Sequence, residues 1–189
     1  MAYLESPSLN ARTERTNGAT PEREGDAFRL AMREFASGVA LVTAGRGDQR
    51  NGCTANSLCS LSLEPPSLIV CIALTSSTLA SLRASETFGV NILGGGHESL
   101  ADRFAGRSGV KGAARFEGSN WMSLVTGAPL LRDALACIDC EVEEVLDRHT
   151  HAIVIGRVAA VRRNDGEPAL VHWRSKFRRL PNNVKWRAP

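Results

Sequence analysis

Apolar positions along this chain follow two different periods. Phe28, Ala31, Met32 and Phe35 recur at helical spacing, so a helix is expected to begin at Asp26 as N-cap and to end near Gly38. From residue 39 the pattern changes to short β-branched runs. Residues 39–44 read as a strand, Gly45-Arg46-Gly47-Asp48 as a hairpin tip, and a second strand follows. Pro65-Pro66 separates Leu61-Ser62-Leu63 from the apolar run 68–74, which predicts a strand buried on both faces. Ser76-Ser77-Thr78 opens a short helix through about Ala84, residues 88–93 form another strand, and a helix lies around Leu100 to Ala105. Residues 106–118 lack a period and read as a surface loop. Two long strands, 135–146 and 151–162, are expected to pair antiparallel through a tight connection near Asp147 and Arg148.

Many strands and few, short helices predict a mainly β fold, an antiparallel barrel decorated by helices. Full-length helices do not alternate with strands, and neither G-x-G-x-x-G nor a phosphate-binding G-x-x-x-x-G-K-[ST] occurs, so a doubly wound nucleotide fold is excluded. Residues 1–25 are polar and aperiodic and read as a disordered tail, 26–180 as one domain, and 181–189 as a second tail.

Composition narrows the class of partner. Of 189 residues, 43% are hydrophobic and 23% charged, which suits a folded soluble domain. The longest apolar run, 68–74, is far short of the roughly 20 residues a spanning helix needs, so no membrane is expected. Net charge is +3, but 157–189 carries nine Lys or Arg against two Asp or Glu, or +7, leaving −4 elsewhere. A basic end on a mildly acidic body suggests a local anion site or a solvated tail more than a nucleic-acid surface. Five cysteines, an odd number, with no apolar secretory segment argue for reduced thiols and a cytoplasmic location.

Four groups could carry chemistry. The polar stretch 51–60 has small and hydroxyl-bearing side chains that would let a flat ligand approach exposed backbone groups; a polar edge strand has the same look. Ser76-Ser77-Thr78 could hold a phosphate at a helix N-terminus or could simply cap the helix. Cys137 and Cys140, three apart on a strand, point to opposite faces and suit buried structural thiols better than a metal site. His149 and His151, two apart, would share a strand face and could bind metal or shuttle protons. Lys176, Arg178 and Arg179 form a basic cluster that would suit either phosphate or solvent.

An ordered set of motifs resembles the flavin reductase family that serves two-component flavin monooxygenases. It runs from Phe28-Arg29-x-Ala31-Met32 through Gly52-x-Thr54-Ala55-Asn56-Ser57, Ser60-Leu61-Ser62-Leu63-Glu64-Pro65-Pro66 and Phe88-Gly89-Val90-Asn91-Ile92-Leu93. Leu100-Ala101-x-Arg103-Phe104, Gly127-Ala128-Pro129-Leu130-Leu131, His151-x-x-Val154-Ile155-Gly156-Arg157-Val158 and Phe177-Arg178-Arg179-Leu180 follow in order. The resemblance implies an antiparallel split β-barrel, a homodimer, and hydride transfer from NADH or NADPH to FMN or FAD. It also implies a partner flavin-dependent oxygenase that receives the reduced flavin. Thr54, Ala55, Asn56 and Ser57 would lie along the flavin ring, Cys71, Ile72, Ala73, Ser77 and Thr78 beside the ribityl chain and phosphate, and Phe104 and Ala105 would close the pocket. His151 would stand at the nicotinamide side. His149-Thr150-His151 replaces the family's Gly-Asp-His, and Ser175-Lys176-Phe177 a common Gly-x-Tyr. No catalytic acid, base or nucleophile, and no metal, is required, because the two cofactors carry the chemistry. A flavoprotein that retains FMN and acts on its own small substrate, or a non-enzymatic flavin-binding module, would show the same motifs.

Overall fold

The structure is a computed structural model that describes residues 21–165 and 167–181. The two expected tails lie outside the described residues, apart from 21–25 and 181. The chain divides into two units, Met1–Glu34 and Phe35–Pro189.

The first unit contains α1 (Pro21–Met32). It begins five residues before the expected N-cap. Proline is favoured at a first helical position, which fits a helix that is described from Pro21. Asp26 is therefore inside the helix, with its carboxylate 2.7 Å from Arg29 Nη2. Gly38 is not a helix cap either; it belongs to a strand of the second unit.

That unit contains β1 (Ser37–Gly38), β2 (Ala40–Ala44), β3 (Asn51–Ala55), β4 (Leu58–Leu63), β5 (Pro66–Ala73), α2 (Ser77–Ser85) and β6 (Thr87–Ile92). After α3 (Glu98–Phe104) come β7 (Trp121–Met122), β8 (Leu130–Leu131), β9 (Ala136–Arg148), β10 (His151–Arg163), β11 (Ala169–Trp173) and β12 (Lys176–Leu180). Seven strands form one antiparallel sheet in the order β3-β2-β6-β9-β10-β5-β4. Its two edges, β3 and β4, are consecutive in the chain and joined only by Asn56 and Ser57. Laid flat, seven strands would span about 29 Å across their hydrogen-bonding direction. Two linking residues reach about 10 Å. The sheet must therefore curl until its edges meet at that corner, which makes it an antiparallel barrel with one open seam.

Two apolar cores follow from this curl. Val42, Ala44, Val70, Ile72, Phe88, Val90, Cys140 and Val154 fill the inner one. Leu41, Leu93, Phe104, Phe116, Leu130 and Cys137 pack outside it beneath α3. β9 supplies both cores because alternate residues of a strand face opposite ways, and so Cys137 and Cys140 do diverge. The same alternation corrects the expectation for 68–74. Leu68, Val70 and Ile72 are buried whereas Ile69, Cys71 and Ala73 are half-exposed, since a barrel strand has only one inner face.

β9 and β10 pair from Arg148 and His151 onward, so the turn is His149-Thr150 and not Asp147-Arg148. His149 takes the positive φ (52°) that a two-residue hairpin turn demands and leaves the strand, so it does not share a face with His151. Further along β10, the register shifts at Gly156, where a Cβ would overlap the Phe88 ring and stand 3.3 Å from Cys140 Cβ. Gly156→Ala should therefore cost about 1–3 kcal/mol through overpacking. Gly38→Ala meets no atom within 4 Å and should stay within about 0.5 kcal/mol of the parent in urea denaturation.

Candidate functional site

The seam of the barrel presents the strand-and-link sequence Thr54-Ala55-Asn56-Ser57. Ala55 is buried in the inner core. Thr54 Oγ1 donates to Ala101 O at 2.6 Å, which ties β3 to α3. Ser57 Oγ donates to Cys71 O at 2.9 Å and accepts from Cys71 N at 3.3 Å, so one hydroxyl bridges the link to β5. Ile72 is buried, and only its backbone can reach a ligand. Ala73, at the end of β5, pairs with His151, the first residue of β10.

Just beyond β5, Ser76 caps α2, its Oγ accepting from Thr78 N at 3.2 Å. Ser76 and Ser77 line a cavity of about 470 Å³, together with Asn51, Cys53, Thr75, Phe104, Ala105, Lys111, Gly112 and Arg115. Thr78 is fully buried beneath them and its Oγ1 has no hydrogen-bond partner, with the weakly accepting thiol of Cys53 beside it. Of the three hydroxyls expected at this helix start, two open into the cavity and one turns into the core.

Phe104 closes the cavity from α3. Its ring meets Phe116 edge-to-face at 5.1 Å and lies so close to β3 that a Cβ on Gly52 would sit 2.5 Å from it. The Gly52 of the motif is the residue that permits this contact. Arg115 reaches the same place from a 3₁₀ turn, Gly112–Phe116; its Nη1 donates to Gly52 O at 2.8 Å and its Nε to Val110 O at 2.9 Å. Lys111 and Arg115 line the cavity and no carboxylate does, so its electrostatics favour an anion. The loop reading of 106–118 missed both cations, because only the buried Phe116 anchors that segment inward.

Ala105 also lines a second cavity, of about 210 Å³, with Val39, Thr54, Asn56, Arg107, His172 and Phe177. His172 faces Phe177 at 5.9 Å, edge-to-face, across the β11–β12 ladder. Burial, and then the Arg107 charge, hold its imidazole below the usual histidine range, so it is neutral at pH 7 with one donor and one acceptor. His172 did not stand out in the sequence; it becomes visible only once the strand pairing is known.

His151 lies outside both cavities, exposed at the end of β10, with Nδ1 2.9 Å from Thr150 Oγ1. Lys176, Arg178 and Arg179 line neither cavity, and Arg179 Nε stands 3.5 Å from Glu98 Oε1. Burial pushes the Cys53 thiol up, Cys137 to about 11 and Cys140 to about 12, so these sulfurs stay protonated and are poor nucleophiles. Among the described residues no cluster of His, Cys, Asp or Glu could hold a metal, and no helix is long and apolar enough to cross a membrane.

A cavity lined by two cations and no carboxylate and a cavity lined by Thr54 and Asn56 thus meet at Ala105. Residues 32–181 match the model of the flavin reductase like domain. The chain belongs to that family. It is 37% identical over 174 residues to the FMN reductase (NADH) RutF 2 of Rhizobium rhizogenes, covering 92% of this chain and 98% of that one. Against the FMN reductase (NADH) RutF of Pseudomonas syringae pv. syringae it is 36% identical, over 84% and 88% of the two chains. Among solved flavin reductases, BorF, the reductase component of a bacterial two-component tryptophan halogenase, superposes with a TM-score of 0.77 at 35% identity, covering 84% of this chain and 99% of BorF. The NADH:FAD oxidoreductase of Streptomyces globisporus C-1027, in complex with NAD and FAD fragments, gives 0.77 at 28% identity, over 90% and 100%. The antiparallel split-barrel architecture expected of the flavin reductase family agrees with the sheet order and with these neighbours.

Proposed function

We propose that this protein is an NAD(P)H-dependent flavin reductase, an oxidoreductase that takes FMN or FAD at the barrel seam, reduces it with NADH or NADPH, and supplies the product to a partner flavin-dependent oxygenase. The observation that carries the reading is the meeting, at Ala105, of a carboxylate-free cavity holding two cations with the strand Thr54–Ser57. A flavin phosphate fits the first: Ser77, the opening N–H groups of α2, Lys111 and Arg115 would hold it. Thr78 supports that end through the Ser76 cap. Backbone groups of Thr54, Ala55, Asn56 and Ser57, and of Cys71, Ile72 and Ala73, would follow the ring, while Phe104 and Ala105 keep water from it.

Bound flavin supplies the hydride acceptor, so the chain needs no acid, base or nucleophile of its own. Its residues bind and orient. His151, next to Ala73 across the ladder, would meet the nicotinamide from the open side and fix its carboxamide or ribose. BorF, the reductase component of a two-component halogenase, supports a partner enzyme that receives reduced flavin, and the styrene monooxygenase flavin reductase among the solved structures supports an oxygenase in that place. Leu61 and Leu63, exposed on edge strand β4, support a homodimer that covers them.

Purified protein should oxidise NADH or NADPH only when flavin is added; folded protein that oxidises neither with FMN, FAD or riboflavin would refute the reading. Lys111→Ala should raise the FMN Kd about tenfold and leave riboflavin binding unchanged. Equal weakening of both would place the phosphate elsewhere.

His151→Ala is expected to raise KM for NADH, or slow flavin reduction, by about tenfold while flavin Kd changes little. His149→Ala should do less. Unaltered reduction at low NADH would make His151 structural.

Sedimentation should report twice the 20.3 kDa chain mass. The double variant Leu61→Lys, Leu63→Lys should sediment as a monomer, and a parent that is itself monomeric would overturn the dimer.

A further inference from the structure

A third cavity, of about 590 Å³, lies between the β2–β3 turn and the segment 121–129, and the flavin reading leaves it unused. Arg46 and Arg50 line it from the turn, Trp121, Met122, Leu124 and Val125 from the segment, and no carboxylate lines it. Val125 is 72% exposed and Leu124 38%. We propose that this face docks a partner protein through a segment that presents a carboxylate beside apolar side chains. The proposal rests on the flavin reading above only for who that partner is, namely the enzyme that receives the reduced flavin.

Three observations carry it. Arg50 is half-buried, its Nε is buried without a hydrogen-bond partner, and its guanidinium lies over the Phe116 ring at 4.7 Å. Stacking therefore fixes this cation without neutralising it, and a planar guanidinium held in that way is suited to a carboxylate. The apolar part of the face also stands on a fixed frame. Thr126 N donates to the buried carboxylate of Asp139 at 2.8 Å, Thr126 Oγ1 donates to its other oxygen, and Arg46 Nη2 donates to Thr126 O. Leu124 and Val125 thus project from a loop already tied down, where exposed aliphatics lose little freedom on binding and mark an interaction surface. Lastly, Arg, Trp and Met are the residue types that interfaces favour. A small anion would pair with Arg50 and leave Leu124 and Val125 uncovered, whereas an acidic and apolar segment covers both. The position agrees with the assigned partner. Asn51, next to Arg50, lines the 470 Å³ cavity, and Phe116 meets Phe104 in its wall, so a docked protein would stand beside the phosphate end of the flavin site.

The test is calorimetric titration of the full chain with the peptide acetyl-Glu-Leu-Asp-Leu-Phe-amide. Acetyl-Lys-Leu-Lys-Leu-Phe-amide serves as the charge-reversed control and sodium acetate as the small anion. The acidic peptide should bind with a Kd below about 1 mM, and about tenfold or more tightly than either control. Arg50→Gln should weaken it about tenfold. Val125→Asp, at an exposed loop position, should abolish detectable binding, and both variants should keep the parent FMN Kd and NADH oxidation. Equal binding of the two peptides, or unchanged affinity in both variants, would overturn the docking surface. Acetate that binds as tightly as the acidic peptide would reduce the face to an anion site and overturn it as well. If Val125→Asp instead halves the sedimenting mass, the face joins two copies of this chain and the proposal falls. The titration needs no flavin, so its failure leaves the flavin reading standing. Parent protein that binds the acidic peptide but oxidises no NADH or NADPH with any flavin would overturn that reading and uphold the docking surface.

Discussion

Two residues, Asn56 and Ser57, set the shape of the barrel. They join the opposite edges of a seven-stranded sheet, and a link that short leaves the sheet no option but to curl. Ser57 reinforces the closure, since its hydroxyl both donates to and accepts from the backbone of Cys71. Because the ladder is interrupted at the seam, backbone groups that a closed barrel would pair internally stay accessible to a ligand. The place where the fold closes is thus also the place where it can bind.

The walls of the site depend on a second constraint at Gly52. The missing side chain lets Phe104 press onto β3, and the Gly52 carbonyl accepts from Arg115. One residue therefore positions both the Phe104 ring and the Arg115 cation in the wall of the 470 Å³ cavity. Trp121 extends the same ring stack, its Nε1 donating to Phe116 O at 2.8 Å, so the 3₁₀ turn bearing Arg115 is fastened from both sides. Substituting Gly52 would disturb packing and electrostatics together, which explains why a glycine stands there in an otherwise side-chain-rich strand.

How much of this the sequence discloses depends on how local the determining interaction is. Strand periodicity, the Ser76 cap and the Pro65-Pro66 break are local, and they place the elements correctly within a residue or two. Thr54, Ser57 and Phe104 were singled out as candidates through ordered motifs. Lys111 and Arg115 were not, because the segment that carries them has no period and is drawn inward by Phe116 alone. His172 depends on its pairing with Phe177, through a turn whose residues Arg174 and Ser175 both take positive φ without the glycine or asparagine that usually signals it. His149 was misplaced for the same reason: a histidine in a left-handed turn position looks like a strand residue until the register is known. At the start of α1, Asp26 resembled a cap, but the helix already runs from Pro21, a residue favoured at a first helical position.

The distribution of polar strength along the site bears on turnover. Cations, helix N-terminus and hydroxyls are gathered at one end, where a phosphate would be held by charge-assisted contacts. Along the strand 54–57 and the end of β5 the available groups are backbone amides and small side chains, and burial pushes the thiol of neighbouring Cys53 up. A ligand held chiefly by one end can be oriented for hydride transfer without being enclosed. A reductase that feeds another enzyme needs that balance, because tight enclosure of the reduced ring would slow its release and limit turnover. Concentrating affinity on groups remote from the reacting ring keeps binding energy available for orientation while leaving the ring end easy to vacate.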